Sequence, residues 1–489
     1  MRRFVRGWSG LLAALAVAGA ALAAAPRDQL LLRGVLTRAD HQTYREVPFA
    51  VPVGVDRLTV DFAYTGWDQH TVVDLGIFDP NGFRGWSGGN KTGFTLSPWD
   101  ATPSYLAGPI VPGRWRLVLG VPNIRPGAKA AFEARVTLER HGAPSRPEAP
   151  MRPEPGWYRG DLHLHTAHSD GSCGAQSGAV VPCPVFKTVE AAAARWLDFI
   201  VVSDHNTVSQ GQDLRELQPY FDRLLLIRGE EITTFRGHLG VIGADGWVDF
   251  RLGSRSVPTP RALLDGVTRA GGLVVINHPG LPSGEACMGC GWSAPDTPFD
   301  QVAAVEVVNG GVSDGPLSGL PFWEARLNAG DHLTAVGGSD NHRPDSAPDA
   351  FAAVGRPTTV VWAGNLGQQA ILAGIAAGHV FIDVDGTRTR RMEMSAGAAR
   401  MGDTLPAGRG DVRLALHAVG ARGGRWRVIE DGRTLPDLAE APIAADDETC
   451  TVSLARDGRR HWVRAEVRSP DGRRAWLIGN PIYLAAAAP

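Results

Sequence analysis

The chain has little lysine, little cysteine and almost no net charge. Its 489 residues include 49 basic and 51 acidic side chains, and lysine occurs only at Lys91, Lys129 and Lys187. A balanced charge provides no large cationic field, so long nucleic acids and anionic membrane surfaces are poor candidates as partners. A chain of this length is too long to fold around one ordinary hydrophobic core, so we predict about two to four domains.

Long apolar runs are also scarce. The one run of note covers residues 11–25, follows Arg2, Arg3 and Arg6, and ends in small residues. A short apolar core with this ending is typical of a cleaved signal peptide, which we place at residues 1–25, rather than of a membrane span. The mature protein is therefore predicted to be periplasmic or secreted, with no membrane span after cleavage.

The five cysteines fit an oxidising compartment. Cys173 and Cys183 bracket a loop rich in glycine, serine and proline, and Cys287 and Cys290 form a Cys-x-x-Cys pair. We predict that both pairs are disulfides, which leaves Cys450 as a buried free thiol. The alternative for the second pair is half of a zinc-thiolate site, although no further cysteine pair completes it.

Residue patterning changes along the chain. Residues 26–142 show short alternating runs separated by turns, which predicts a β-sandwich, and residues 143–156 form a proline-rich linker. In residues 157–385, strand-like runs alternate with helical ones, which predicts an α/β fold with a parallel sheet or barrel. Residues 386–489 return to alternating runs and are interpreted as a second small β domain.

Histidines and carboxylates recur within the middle segment. His163 and His165 are two residues apart on a predicted strand, so their imidazoles point to the same face. Such a pair is also typical of a half-buried pair bonded to backbone, but further clusters follow later apolar runs. Ligands that converge from several strands predict two or three divalent metals, and histidine-rich ligation favours Zn, Mn or Fe.

The motifs in residues 160–342 resemble the PHP (polymerase and histidinol phosphatase) superfamily, in particular its CehA/McbA branch of metallohydrolases. In the family's order they are His163-x-His165 with Ser169-Asp170-Gly171, Ser203-Asp204-His205-Asn206, Gly229-Glu230-Glu231-Ile232 leading to Gly237-His238, Asn277-His278-Pro279, and Ser339-Asp340-Asn341-His342. The resemblance covers about two fifths of the chain. It implies a distorted seven-stranded β/α barrel, which the two small β-sandwich domains would flank.

The resemblance also implies a ligand set and a reaction. His163, His165 and Asp340 would hold one metal, Glu231 would bridge it to a second held by His238 and His278, and Asp170, His205 and His342 would hold a third. Catalytic roles fall to Glu231, Asp340 and His342. The expected reaction is cleavage of a phosphoester, or of another small ester, by metal-bound hydroxide.

Three further residues are candidates for substrate contact, and two other functions stay open. His168, Arg236 and Arg343 adjoin the motifs, and the two arginines could clamp an anionic group. An amidohydrolase-type barrel also begins with His-x-His but commonly bridges its metals through a modified lysine, and the segment offers only Lys187. A non-catalytic metal-binding or glycan-binding envelope protein is the other alternative.

Overall fold

Strands dominate the structure. The computed structural model describes residues 28–140, 149–285, 287–435 and 441–486. The predicted signal peptide and residues 143–148 of the predicted linker lie outside these ranges. Strands account for 43% of the structure and helices for 13%, and the described residues form five α-helices. The prediction of an α/β fold with a seven-stranded β/α barrel is therefore wrong, because the protein is mainly β with large antiparallel sheets.

The amino-terminal region consists of two four-stranded antiparallel sheets. Their orders are β1-β8-β3-β6 and β2-β7-β4-β5. The strands are β1 Asp28–Leu36, β2 Tyr44–Val51, β3 Val55–Tyr64, β4 Val72–Asp79, β5 Gly82–Trp86, β6 Gly93–Leu96, β7 Gly113–Asn123 and β8 Ala130–Arg140, with short 3₁₀ turns at Arg38–Asp40, Trp67–Gln69 and Gly88–Asn90. Alternate residues of both sheets share one core, in which Leu58, Leu75 and Trp115 are fully buried.

The central region contains all five helices. Its strands are β9 Gly156–Asp161, β10 Ser172–Gly174, β11 Val180–Pro182, β12 Phe199–Val202, β13 Leu225–Thr234, β14 Gly237–Ile242, β15 Leu273–Asn277, β16 Ala304–Asn309, β17 Thr334–Gly338, β18 Thr358–Ala363 and β19 Val380–Asp383; its helices are α1 Val185–Ala194, α2 Gly211–Leu217, α3 Pro260–Arg269, α4 Leu320–Ala329 and α5 Gln368–Ala376, and a 3₁₀ turn covers Phe299–Gln301. Helix α3 begins where the Thr259 hydroxyl accepts the amide of Ala262, and α4 ends at Gly330 in a left-handed conformation.

One mixed sheet runs through this region in the order β17-β16-β15-β14-β13-β12-β9-β18-β19. Strands β9, β12 and β13 are parallel, and so are β15, β16 and β17, whereas β14, β18 and β19 pair antiparallel with their neighbours. The sheet curves until β17 lies beside β18, where the Thr359 hydroxyl contacts both the amide and the carbonyl of Gly337.

The antiparallel pairs have a local cause. Only Phe235 and Arg236 separate β13 from β14, and such a short turn allows an antiparallel hairpin but not a parallel crossover. The regular alternation of strands and helices that the sequence indicated is interrupted at this hairpin and again at β18 and β19.

The carboxy-terminal strands continue the central sheet. Strand β19 pairs with β29, which leads to β28, β24 and β25, and a separate sheet has the order β21-β20-β23-β27. The strands are β20 Arg391–Ala396, β21 Ala399–Arg400, β22 Thr404–Leu405, β23 Gly410–Val419, β24 Arg425–Glu430, β25 Arg433–Thr434, β26 Ala441–Pro442, β27 Asp447–Arg456, β28 His461–Arg468, β29 Ala475–Gly479 and β30 Ile482–Leu484. The fully buried Asn480 amide bonds Ala335 of β17 and Val380 of β19.

The structure contains both predicted disulfides. Cys173 is bonded to Cys183 and Cys287 to Cys290, while Cys450 is a free thiol that is only partly buried. Within the described ranges, no helix combines the length and apolar character that a membrane crossing needs.

Candidate metal centre

The histidines and carboxylates of the motifs gather at one end of the curved sheet. His163 and His165 follow β9, His205 follows β12, His278 follows β15, and Asp340 and His342 follow β17. Glu231 lies on β13. His238 lies on β14, which runs in the opposite direction, and pairs with Thr233 across the hairpin. The two-residue turn therefore brings the start of β14 to the end of the sheet where the parallel strands finish.

Glu231 is at the centre of this group. Its Oε1 lies 3.2 Å from His163 Nε2, 3.4 Å from His238 Nδ1 and 3.1 Å from His278 Nε2. Its Oε2 lies 3.5 Å from His165 Nε2 and 2.9 Å from His205 Nδ1. One carboxylate thus contacts five imidazoles, which is the position that a bridging ligand requires.

Asp340, which follows β17, belongs to the same group. Its Oδ1 is 3.3 Å from His163 Nε2 and 3.2 Å from His165 Nε2. The Asp340 backbone has a φ of +52°, and that of His278 has a φ of +28°. Such values cost free energy for residues with a side chain, so the surrounding structure must hold both residues in place.

A second, more open group adjoins the first. Asp170 Oδ1 lies 3.2 Å from His342 Nε2 and 3.7 Å from His205 Nε2. Burial raises the pKa of Asp170, but the His342 hydrogen bond and the nearby histidines have the larger effect and lower this pKa to about 2. Burial lowers the pKa of His342, whereas Asp170 and Asp340 raise it to about 9. The Asp170 side chain is 59% exposed, so this group faces solvent.

The ligand atoms are close enough to share metal ions. Atoms within 4.8 Å of one another come from His165, Asp170, His205 and His342; from His163, His165 and Glu231; from Glu231, His238 and His278; and from His163, His278 and Asp340. His238, Cys287 and Cys290 meet the same distance criterion, but the two cysteines are bonded to each other.

Unsatisfied buried atoms fit bound cations. Among the described residues, His163 Nε2, Glu231 Oε2 and His238 Nδ1 are buried without a hydrogen bond of acceptable geometry. Burial lowers the pKa of His163, but Asp340, Glu231 and Glu306 raise it well above its usual value. Burial raises the pKa of Glu231, but His163 and the other histidines lower it well below its usual value. The centre therefore needs positive charge, which protons or divalent metals can supply.

The motifs did not reveal Glu306, a buried carboxylate on β16. The His163 Nδ1 donates to Glu306 Oε1 over 3.0 Å, which leaves His163 Nε2 facing Glu231. The other oxygen accepts the amide of His278 at 2.9 Å and the Asn309 side chain at 3.1 Å. Asn309 also donates to Asp340 Oδ2. A lone carboxylate among the buried apolar residues of β16 was the available sequence signal.

Two other acidic residues, Asp204 and Glu230, accept hydrogen bonds from segments next to this group. Asp204 accepts the amide and hydroxyl of Thr166 and the Ser169 hydroxyl, so it holds the loop after His165. Glu230 lies on the opposite side of β13 from Glu231 and accepts the amide of Val248. Burial raises the pKa of Glu230 to about 8.

The three candidate substrate residues lie in loops next to the ligand motifs. His168 bonds Ser209 and Asp213 near α2. Arg236 is exposed at the hairpin tip, and Arg343 is exposed next to His342. The structure thus pairs His168 with residues in and near α2 and leaves the two arginines exposed.

The lysine of the amidohydrolase alternative is elsewhere. Lys187 lies on α1, where it is about half exposed and pairs with Glu190. It is not part of the group around Glu231, where a carboxylate lies among the histidines.

Comparisons with known proteins found structural likeness only. No protein-family model matches the chain, and no curated protein matches it in sequence. A two-domain protein from Bacteroides vulgatus ATCC 8482, proposed to contain a PHP-like metal-dependent phosphoesterase, is 18% identical; the match covers 69% of this chain and 100% of that one, with a TM-score of 0.38. A proposed metal-dependent phosphoesterase from Bifidobacterium adolescentis ATCC 15703 is 16% identical over 47% of this chain and 96% of that one, with a TM-score of 0.30. At these TM-scores the likeness assigns neither family nor activity.

Proposed function

We propose that the protein is a secreted metal-dependent hydrolase of the PHP superfamily, of the CehA/McbA type, and that it cleaves a phosphoester or another small ester. The observation that carries the proposal is the Glu231 carboxylate, which contacts five imidazoles beside Asp340. Two or three divalent ions, of Zn, Mn or Fe, fit this nitrogen-rich set of ligands. The two disulfides support an oxidising compartment.

The candidate ligands differ in burial, and we assign them different roles on that basis. His163, His165, Glu231, His238 and His278 are each at most 4% exposed, so they can hold ions away from bulk water. Asp170, His205 and His342 are more exposed and form the side from which a substrate would approach. Bound metals supply Lewis acidity and lower the pKa of water towards neutrality.

Hydrogen bonds orient the ligands before any ion binds. The His163 Nδ1–H donates to Glu306, and the His342 Nδ1–H donates to the Asp340 carbonyl at 2.9 Å. In both residues the Nε2 lone pair is therefore directed away from these acceptors and can serve as a ligand atom. This arrangement fixes the tautomer and reduces the ordering that metal binding requires.

The test combines metal analysis with a panel of phosphomonoesters, phosphodiesters and aryl esters. We expect the wild-type protein to hold two or three divalent ions, and His163→Ala with His165→Ala to lose at least one of them and the hydrolytic activity. His417→Ala is the matched control, because His417 pairs with Asp447 in the carboxy-terminal region. A metal content that the double substitution leaves unchanged would refute the site. A panel untouched by the metal-loaded protein would refute the reaction.

A further inference from the structure

The two ring nitrogens of His238 have different surroundings. Among the described residues, its buried Nδ1 has no hydrogen-bond partner and lies 3.4 Å from Glu231 Oε1. Its Nε2 lies 3.2 Å from the Met288 carbonyl oxygen. A carbonyl oxygen can only accept, so this hydrogen bond places the ring proton on Nε2 and leaves the Nδ1 lone pair free for an ion. The Met288 carbonyl therefore selects the tautomer that His238 needs as a ligand.

This carbonyl belongs to a short turn that a disulfide closes. Cys287 and Cys290 are bonded to each other, and we call the four residues Cys287–Cys290 the disulfide turn. Cys287 exchanges two backbone hydrogen bonds of 3.1 Å with Gly284, and the Gly289 amide donates to the Ser283 hydroxyl at 2.9 Å. The disulfide turn is thus bonded to the residues before it and is closed across its own ends.

The disulfide turn packs directly against the hairpin that carries His238. Gly289 has a φ of +86°, and a Cβ at this position would lie 2.0 Å from the Thr234 carbonyl oxygen and 3.4 Å from His238 Nε2. Two backbone segments therefore meet with no space for a side chain between them. Beyond the turn, the Ser293 amide donates to the Arg236 carbonyl at 2.7 Å. These contacts hold the turn, and the carbonyl within it, against the imidazole.

The disulfide of this turn is more accessible than the other one. Cys287 is partly exposed and Met288 is 72% exposed, whereas Cys173 and Cys183 are at most 3% exposed. A dithiol reduces a disulfide by exchange, in which one of its thiolates breaks the sulfur–sulfur bond and forms a mixed disulfide, and its second sulfur then closes the reductant's own disulfide. The two protons of the dithiol pass to the cysteines, which become thiols. A dithiol should therefore reduce Cys287 and Cys290 first.

We infer that the disulfide of the turn regulates metal retention at the buried end of the centre, by holding the Met288 carbonyl on His238. In the oxidised protein, His238 is oriented for an ion that it would hold with Glu231 and His278. Reduction by a dithiol opens the turn, so the carbonyl gains positions away from His238 and the imidazole loses its fixed tautomer. This inference rests on the proposed function, because it concerns the regulation of the same centre.

The test measures Mn²⁺ affinity by chelator competition for the oxidised protein and for protein reduced with a dithiol, after the reductant has been removed under nitrogen. Mn²⁺ is the probe because it prefers oxygen ligands to soft thiolates, so the new thiols should not bind it. We expect reduction to weaken binding of at least one ion about 10- to 100-fold, and reoxidation to restore it. Cys287→Ser with Cys290→Ser should reproduce the reduced state and show no further response to the dithiol.

Two glycine substitutions separate the carbonyl contact from the disulfide itself. Gly289→Ala places a methyl group against the Thr234 carbonyl and should displace the turn with its disulfide intact, so Mn²⁺ affinity should fall as it does on reduction. Gly284→Ala is the matched control, because a Cβ there would meet no atom of the described residues within 4 Å. This variant should keep the wild-type affinity and its dependence on the disulfide.

His238→Gln tests whether the effect passes through this histidine. Its remaining Mn²⁺ affinity should be the same with the disulfide closed or open. In the wild-type protein the coupling is reciprocal, so each tenfold loss of affinity on reduction should lower the midpoint potential of the disulfide by about 30 mV when Mn²⁺ is bound. Equal Mn²⁺ affinity of the oxidised and reduced wild-type protein, or a disulfide effect that persists in full in His238→Gln, would overturn the inference.

Hydrolysis of the ester panel separates this inference from the proposed function. If hydrolysis falls on reduction together with Mn²⁺ affinity, both stand. If no ester is hydrolysed but Mn²⁺ affinity depends on the disulfide through His238, the reaction fails and the regulation stands. If the oxidised and reduced proteins bind Mn²⁺ alike and hydrolyse an ester alike, the regulation fails and the hydrolase stands.

Discussion

Asp100 links the amino-terminal sheets to the central region, and its removal should destabilise the protein measurably. It is 5% exposed and bonds Ser97 on its own side. It also contacts Arg57 of β3, Arg215 of α2 and Arg228 of β13 at 3.8, 2.9 and 3.3 Å. Burial raises the pKa of Asp100, but the three arginines and Ser97 lower it from 3.8 to about 2.

The magnitude follows from this difference in pKa. At about 1.36 kcal/mol per pKa unit, the ionised form is stabilised by roughly 2.4 kcal/mol relative to the unfolded chain. Because the folded-state pKa is depressed, this contribution is fully present above about pH 5 and is lost as the pH falls towards 2, with about half of it gone near pH 3. Asp100→Asn should therefore lower the free energy of unfolding by about 2 kcal/mol at pH 7.

Urea unfolding of wild type and Asp100→Asn between pH 3 and pH 7 tests this expectation. Asp68→Asn is the control, because Asp68 is an exposed aspartate in the same region. A double-mutant cycle with Arg215→Met should show coupling, since the two side chains are in direct contact. The reasoning fails if Asp100→Asn costs no more than the control, or if its cost is the same at pH 3 as at pH 7.

Three further outcomes concern the centre. Glu306→Gln should weaken metal binding about 10- to 100-fold in chelator competition, because it perturbs the hydrogen bond that orients His163; unchanged affinity would contradict that role. His342→Ala should remove an ion held with Asp170 and His205 while leaving the buried ions in place, as counted by elemental analysis; loss of every ion would refute this division. Metal affinity should fall as the pH is lowered through the raised pKa values of His163 and His342, because protons compete for the same nitrogens; a flat pH profile of calorimetric affinity would show that the histidines are not ligands.

More of the candidate site than of the fold could be predicted from the sequence. The local motifs contain the residues that lie around Glu231 in the structure, and each of them follows or occupies a strand that ends at one edge of the sheet. Their role as metal ligands stays a prediction. Glu306 was missed because its β16 segment is otherwise apolar and carries no motif. Only the structure shows that its two oxygens serve His163 and the backbone of His278.

The fold was mispredicted for a physical reason. The segment whose sequence alternates strand-like and helical runs does contain the helices, but strand pairing depends on contacts between distant residues. The turn at Phe235 and Arg236 reverses the chain, so β14 joins the sheet antiparallel. Nothing in the local pattern of β19 shows that its partner is β29, almost a hundred residues later in the chain.

The Asn480 amide has a consequence for how the protein is made. It joins Ala335 of β17 to Val380 of β19, and β17 leads directly to Asp340 and His342. During synthesis, His163 and Glu231 emerge long before Asn480, which bonds β17 to β19. Asn480 can make these bonds only after all the candidate ligands have been synthesised, so any metal capture that depends on them is expected to follow them.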